Sequence, residues 1–408
     1  MTGTAIAASL LEDLRMDSQA LLPDLVELRR ALHQDPETGI DLPRTQQRLL
    51  DALSGLPLEI TLGRDLSSIV AVLRGGKPGP VVLLRGDMDG LPLVEETGLP
   101  YSSTGAAMHA CGHDLHMAGL VGAAKLLSAR QDELPGSVIF MFQPGEEVLQ
   151  GAKMMLDEGL LEAAGERPVA AYGIHVSPGP SGHFGLAPGA STAGSNTVSI
   201  TVHGEGGHGS RPFEAIDPVP ILAEIILAAQ SLVTRQMDAQ DPIILTLTTL
   251  RAGSARNVIP AEATAEGTLR NLSTAALERV KQRLSRLVPA IAEAHGATAS
   301  VEITEGCPPL VNDDHLTTQS ADVLSEMFGA DRVTKLDAAT AVMGSEDFAF
   351  VSNEVPSSFF RLLATPADLA PDAVSYNHSP FVQFDDGVLG DQAAALAALA
   401  FDRLRSHG

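Results

Sequence analysis

Tryptophan is absent from the 408 residues, and with only 3 Tyr and 12 Phe no aromatic stacking platform is on offer. Cysteine is almost absent: Cys111 and Cys307 are the only two, which argues against a disulfide framework and leaves Cys111, seated among histidines, as a better ligand than a staple. Basic residues are scarce as well. There are 27 Lys and Arg against 51 Asp and Glu, for a formal charge of -24, a balance that repels phosphate backbones and anionic membrane surfaces. No nucleic-acid partner and no membrane partner are expected. No apolar run approaches the roughly eighteen unbroken residues of a membrane span. The stretch from Met1 to Leu11 has no basic region before it and no export or lipidation signature, so a soluble cytoplasmic protein is the expectation.

What is present is a large apolar share, 44% of the chain, enough for a big core and, at this length, for two domains. Leu21 to Leu32 and Thr45 to Leu53 repeat apolar residues at helical spacing. Short runs rich in Val, Ile and Leu follow, at 69–73, 81–84, 138–142 and 169–174, alternating with helical stretches such as 115–129. That alternation predicts an α/β layer with a buried, largely parallel sheet flanked by helices. Beyond Gly194 the order becomes strand 197–202, helix 218–235, strand 242–250, strand 262–270, helix 275–295, strand 299–304, the split β-α-β-β-α-β order. Gly-rich and Pro-rich segments bound this unit, which reads as an insertion at 191–305 within a domain made of 1–190 and 306–408. Gln392 to Arg405 predicts a terminal helix.

Three apolar runs end at chemically loaded residues: Asp87 and Asp89, Glu146 and Glu147, and His175. In open α/β sheets sites form at the carboxyl ends of strands, which gives the clustering a geometric reason. Cys111 and His113 sit two apart at the start of a predicted helix, where the dipole favours a thiolate. With Glu147, His175 and His378 they assemble a thiolate, imidazoles and a carboxylate, a donor set suited to Zn²⁺ or a neighbouring divalent ion. Adjacent side chains diverge, so one of Glu146 and Glu147 can bind metal while the other faces the water. Asp87 and Asp89 are expected behind the ligands, orienting imidazoles or tuning the metal, although Asp-x-Asp is equally natural in a turn. His109 and His116 read as structural or supporting residues, and His33 as the end of a helix. In the inserted unit His208 lies in a Gly-rich loop that matches no phosphate-binding pattern. Asn257 and Arg270 could grip a carboxylate by amide and forked hydrogen bonds, or be solvated strand-end residues.

In order along the chain, Arg85-Gly86-Asp87-Met88-Asp89-Gly90-Leu91-Pro92, His109-Ala110-Cys111-Gly112-His113-Asp114, Gln143-Pro144-Gly145-Glu146-Glu147, Gly207-His208, Asn257-Val258-Ile259-Pro260, Gly344-Ser345-Glu346-Asp347-Phe348 and Asn377-His378 resemble the M20 metallopeptidase family. The nearest branch is its amidohydrolase subfamily, which includes hippurate hydrolases, N-acyl-amino-acid amidohydrolases and auxin-conjugate hydrolases. The resemblance runs from about His33 to the terminal helix. It implies two divalent ions per subunit, Zn, Mn, Co or Ni, held by Cys111, His113, Glu147, His175 and His378, with Glu146 as general base and acid. It implies that His208 serves the oxyanion from the other subunit of a homodimer or larger homo-oligomer, with Asn257 and Arg270 near the substrate carboxylate. It also makes the inserted unit a ferredoxin-like lid and dimerisation domain. Asp87-Met88-Asp89 departs from the His-x-Asp of many relatives, and the Cys-x-His pair replaces the lost imidazole, which leaves open which ligand bridges the ions.

The expected reaction is hydrolysis of an N-acyl amino acid to a carboxylic acid and a free amino acid. A cysteine amidase using Cys111 with His113 or His109 is the rival enzyme. A non-catalytic protein binding acyl amino acids is the rival of another class. No G-x-S-x-G and no H-E-x-x-H occurs, which removes the serine hydrolase and zincin readings.

Overall fold

Helix α1 (Ala8–His33) absorbs the predicted 21–32 segment and buries Leu10, Leu11, Leu14, Leu25 and Leu32 along one face. Helix α2 (Pro43–Leu53) follows, with proline at its first turn, where a missing N–H costs no hydrogen bond. The computed structural model describes residues 6–336, 341–370 and 373–407. Along the chain come β1 (Leu58–Leu62), β2 (Ile69–Arg74), β3 (Lys77–Asp87), α3 (His113–Ser128), β4 (Pro135–Gln143), α4 (Gly151–Asp157), β5 (Ala170–Pro180), β6 (Phe184–Leu186) and β7 (Gly189–Thr192). An inserted stretch holds β8 (Gly194–His203), β9 (Gly207–His208), α5 (Pro218–Gln236), β10 (Ile243–Ala252), β11 (Val258–Ile259), β12 (Glu262–Asn271), α6 (Thr274–Ala294) and β13 (Thr298–Cys307). The chain then continues through β14 (Leu310–Asn312), α7 (Asp314–Phe328), β15 (Val333–Lys335), α8 (Ala349–Ser352), β16 (Ser357–Thr365) and α9 (Val388–Ser406).

Two compact units result: one spans Met1–Ser191, Val311–Thr340 and Phe350–Gly408, the other Thr192–Leu310 with Ala341–Ala349. The sequence reading assigned all of 306–408 to the first domain. Two stretches of it group with the second unit for clear reasons. Cys307 extends β13 opposite Ser195, and the Ala193 N–H is shared by the carbonyls of Val342 and Gly344.

In the first unit the sheet order is β1-β2-β4-β3-β5-β16-β6-β15. Its middle, β4-β3-β5-β16, is parallel, while β1–β2, β2–β4 and β16–β6 are antiparallel, so the largely parallel layer carries antiparallel pairs toward its edges. Val81 through Asp87 are all buried, as expected of a strand covered on both faces. Helix α3 is buried on nearly every side, a central helix packed against α1 and α9. Its entry turns on Gly112, at φ 83°, where a Cβ would stand 2.2 Å from the Val176 side chain. The Cys111–His113 corner therefore lies directly against β5 at Val176.

In the second unit β10-β12-β8-β13 form one antiparallel sheet. With α5 and α6 this is the ferredoxin-like order read from the sequence. Asp217 caps α5 by accepting the Val219 N–H, and Ser273 caps α6 by accepting that of Ala276. By length and composition α5 would pass for a membrane span. Its Ile221, Leu222, Ile225, Ala229 and Leu232 instead fill the core of this unit, while Glu224 stays exposed on the other side. The ladder of β9 with β11, two residues on each side, was not foreseen.

Candidate active site

Asp87 ends β3 fully buried, and its carboxylate meets Arg85 Nη1 at 2.7 Å and His116 Nδ1 at 2.5 Å. Asp89, two residues on, accepts the backbone N–H groups of Glu146 and Glu147 on its two oxygens, each at 3.1 Å. Its main-chain carbonyl accepts from His113 Nδ1 at 2.8 Å. The Asp89 carboxylate thus fixes the turn that carries the acidic pair, and the imidazole is oriented by the Asp89 backbone.

Around this frame, metal-type donors converge. Cys111 Sγ lies 3.4 Å from His175 Nε2, and Glu147 Oε1 lies 3.9 Å from His113 Nε2 and 3.5 Å from His378 Nε2. Cys111, His113 and His175 form one group of ligand atoms, and Cys111, Glu147 and His378 another, every atom within 4.8 Å of its group. Neither His113 Nε2 nor Glu147 Oε1, both buried, has a well-formed hydrogen bond among the described residues. The donor types, their spacing and these unsatisfied atoms fit a pair of borderline divalent ions. Burial alone would raise the Cys111 thiol, but His175, His113 and His378 hold its pKa well below the usual range. Cys111 and Glu147 in turn raise that of His378 to about 10.

Glu146 occupies the other side of the acidic turn, buried, with Oε2 4.0 Å from His113 Nε2. Its placement suits a carboxylate that faces the reacting water.

The His175–Val176 stretch of β5 is a hub. The Val176 N–H donates to His116 Nε2 at 2.8 Å, and the Val176 carbonyl accepts from His175 Nδ1 at 2.7 Å and from Asn377 Nδ2 at 3.2 Å. Asn377 also reaches the Cys111 carbonyl at 3.3 Å and its sulfur at 3.7 Å. Both nitrogens of His116 are engaged, which leaves no lone pair for an ion, and burial lowers its pKa to about 4, keeping it neutral. His116 is therefore a positioning residue linking Asp87 to the stretch of β5 that presents His175. Asparagine at 116 retains a donor for Asp87 and glutamine an acceptor for Val176. Each substitution should weaken metal binding about 10- to 100-fold, and alanine more than either, in competition titrations with a chelating dye. Unchanged affinity in the alanine variant would reduce His116 to a packing residue.

Other histidines serve the frame. His33 bridges Asp114, at 2.7 Å, and Glu95, at 3.2 Å, in a buried network with Arg29. His109 is buried with neither nitrogen bonded among the described residues, and burial lowers its pKa to about 3.

In the second unit His208 is exposed, in the β9–β11 ladder opposite Val258, with the Asn257 carbonyl accepting the N–H of Gly209. His208 and Asn257 are brought together. Arg270 is not with them: it lies near the far end of β12, donating to Ser345 Oγ at 2.6 Å, while Ser345 donates to the Ala193 carbonyl at 2.8 Å. At about 3.4 Å per residue the strand alone separates the two ends by roughly 25 Å. Asn257 and Arg270 of one chain are too far apart to grip the same carboxylate, so both could reach one substrate only if they came from two copies of the chain. Asn377, quoted only as part of Asn377-His378, carried no role in the sequence reading, and Val176 was missed, since a hydrogen bond to a strand backbone leaves no trace in composition or spacing.

The profile of "Peptidase family M20/M25/M40" matches residues 83–402. Thermostable carboxypeptidase 1 of Saccharolobus solfataricus is 35% identical over 400 residues, covering 96% of this chain and 99% of its own. The IAA-amino acid hydrolase ILR1-like 2 of Arabidopsis thaliana is 34% identical, covering 93% of this chain and 85% of its own. The crystal structure of the Bacillus subtilis YXEP protein, described as a dinuclear metal binding peptidase from the M20 family, superposes with a TM-score of 0.82 at 29% identity, over 95% of this chain and 99% of that one. Fold, donor cluster and sequence agree, and the chain belongs to peptidase family M20/M25/M40 as a metallohydrolase of amide or peptide bonds.

Proposed function

We propose that the protein hydrolyses the amide bond of N-acyl amino acids, releasing a carboxylic acid and a free amino acid. The observation that carries this reading is the set of five donors, Cys111, His113, Glu147, His175 and His378, with the buried Glu146 beside them on a turn held by Asp89. Cys111 is common to both donor groups. Those five residues would hold two divalent ions, Zn, Mn, Co or Ni, which would supply Lewis acidity to the scissile carbonyl and to water. Glu146 takes the proton of the attacking water and delivers it to the departing nitrogen.

Relatives point the same way: one is an IAA-amino acid hydrolase, whose substrate is a conjugate of this kind. Arg270, already holding the Ser345 hydroxyl and with no carboxylate partner among the described residues, is the donor proposed for the substrate's α-carboxylate. His208 and Asn257, at the opposite end of the second unit, then serve the active site of a second copy in a homodimer. For His208 the role is oxyanion stabilisation. Ser210 N–H and Oγ approach its Nδ1 at 3.2 and 2.8 Å, so Nδ1 accepts and the proton sits on Nε2, ready to donate.

Chelation tests the reading. Activity on N-acyl amino acids should vanish when the metals are stripped and return with Mn²⁺, Zn²⁺, Co²⁺ or Ni²⁺, and Cys111 should alkylate faster in the stripped protein, because ligation screens the thiolate. Full activity in protein shown to be metal-free, abolished by alkylation, would make it a cysteine amidase. Tight binding without turnover in metal-loaded protein would make it a binding protein.

A further inference from the structure

Arg361 lies in the middle of β16, in parallel register with His175 of β5. Residues paired in this way project from the same face of a sheet. Phe360 and Leu362, with Ile174 and Val176, belong to the hydrophobic core on the opposite face. Arg361 therefore stands on the His175 side, one strand over and about 5 Å away at the backbone. Phe359, on that same side, packs edge-on to the His175 ring at 6.2 Å. On the other flank Arg361 pairs with Gly185, which offers no side chain to occupy the space.

The guanidinium is half-buried, yet no carboxylate or hydrogen-bond acceptor among the described residues meets it. Burial alone lowers its pKa, with no acid offsetting the loss of hydration. The contrast within the same unit is sharp: Arg29 has Asp114 at 2.7 Å and Arg85 has Asp87 at 2.7 Å. In a chain with 51 acidic residues against 27 basic ones, a desolvated arginine left without a counter-ion beside the ligand cluster is an unfilled position for an anion.

We propose that Arg361 forms an anion subsite beside the metal centre, receiving a second carboxylate of the substrate in addition to the α-carboxylate. The substrate class is then dianionic conjugates: amino acids acylated by a dicarboxylic acid, or acylated acidic amino acids. This rests on the N-acyl amino acid reading and narrows it.

The test compares N-acetyl-alanine, N-succinyl-alanine and N-acetyl-glutamate as substrates of the metal-loaded wild type, Arg361→Met and Arg361→Lys. Binding of the same three compounds is measured by calorimetry on the Glu146→Ala background, with and without Arg361→Met. Wild type should prefer at least one dianionic compound. Methionine at 361 should cut kcat/KM and affinity for that compound about 10- to 100-fold relative to N-acetyl-alanine, and lysine should restore part of the preference. A preference confined to N-succinyl-alanine places the second carboxylate on the acyl group, and one confined to N-acetyl-glutamate places it on the amino-acid side chain. Equal losses on all three compounds, or no dianion preference in wild type, overturn the subsite. Hydrolysis of none of the three by wild type counts against the N-acyl amino acid reading, and the calorimetric ratios still decide for or against Arg361.

Discussion

Glu146→Ala should lose about 10² to 10⁴-fold in turnover while retaining its metals and its fold. The size of the effect follows from the division of labour on the acidic turn. Asp89 holds the two adjacent N–H groups, so both carboxylates come within 4.0 Å of His113 Nε2, while Glu147 also meets His378 at 3.5 Å and Glu146 is the one proposed to act on the water. Removing Glu146 leaves the five donors in place and takes away the group that moves the proton. Substrate affinity should survive, so the variant doubles as a binding-competent form. Metal analysis provides the check. If Glu146→Ala loses both ions while Glu147→Ala keeps both, the two roles are exchanged.

The second large effect concerns His208, whose loss should cost about 10² to 10³-fold in kcat as the removal of an oxyanion donor does elsewhere. The decisive experiment is complementation. His208→Ala and Glu146→Ala proteins, each inactive, are mixed, dissociated and allowed to reassociate. Each mixed dimer contains one site with an intact Glu146 and a His208 donated by the other chain, so statistical pairing restores about a quarter of wild-type sites. The geometry motivates the exchange: His208 and Asn257 share one end of the second unit and Arg270 the other. No recovered activity after demonstrated subunit exchange would confine His208 to its own chain.

Much of the fold was legible because periodicity is a local property. The runs at 81–84 and 138–142 became the buried cores of β3 and β4, and the split order beyond Gly194 became β8 through β13. What escaped depended on partners distant in sequence. The antiparallel pairing of β2 with β4 is invisible in either strand alone, and β9 with β11 is too short to carry a pattern. The donor cluster was readable because Cys, His and Glu stand just past strand ends, where sheet topology gathers residues. Asp89 was expected to orient imidazoles or tune the metal; its carbonyl accepts from His113, while its carboxylate accepts two backbone N–H groups, a role no sequence pattern carries. Arg361 gave no signal at all. An arginine in an apolar run looks like an edge residue until the register sets it beside His175.

The sheet order also has a consequence for how the protein is made. Strand β16 lies between β5 and β6, yet it follows them in the chain only after the whole inserted unit. At a synthesis rate of about 5–20 residues per second, β5 waits roughly 10 to 40 s on the ribosome for its neighbour. During that interval the inserted unit, whose sheet uses only strands β8, β10, β12 and β13, can complete itself. Cys111, His113, Glu147 and His175 meanwhile precede His378 and the Asn377 clamp on the Cys111 loop. Those four donors are therefore made well before His378, so the donor set closes only late in synthesis.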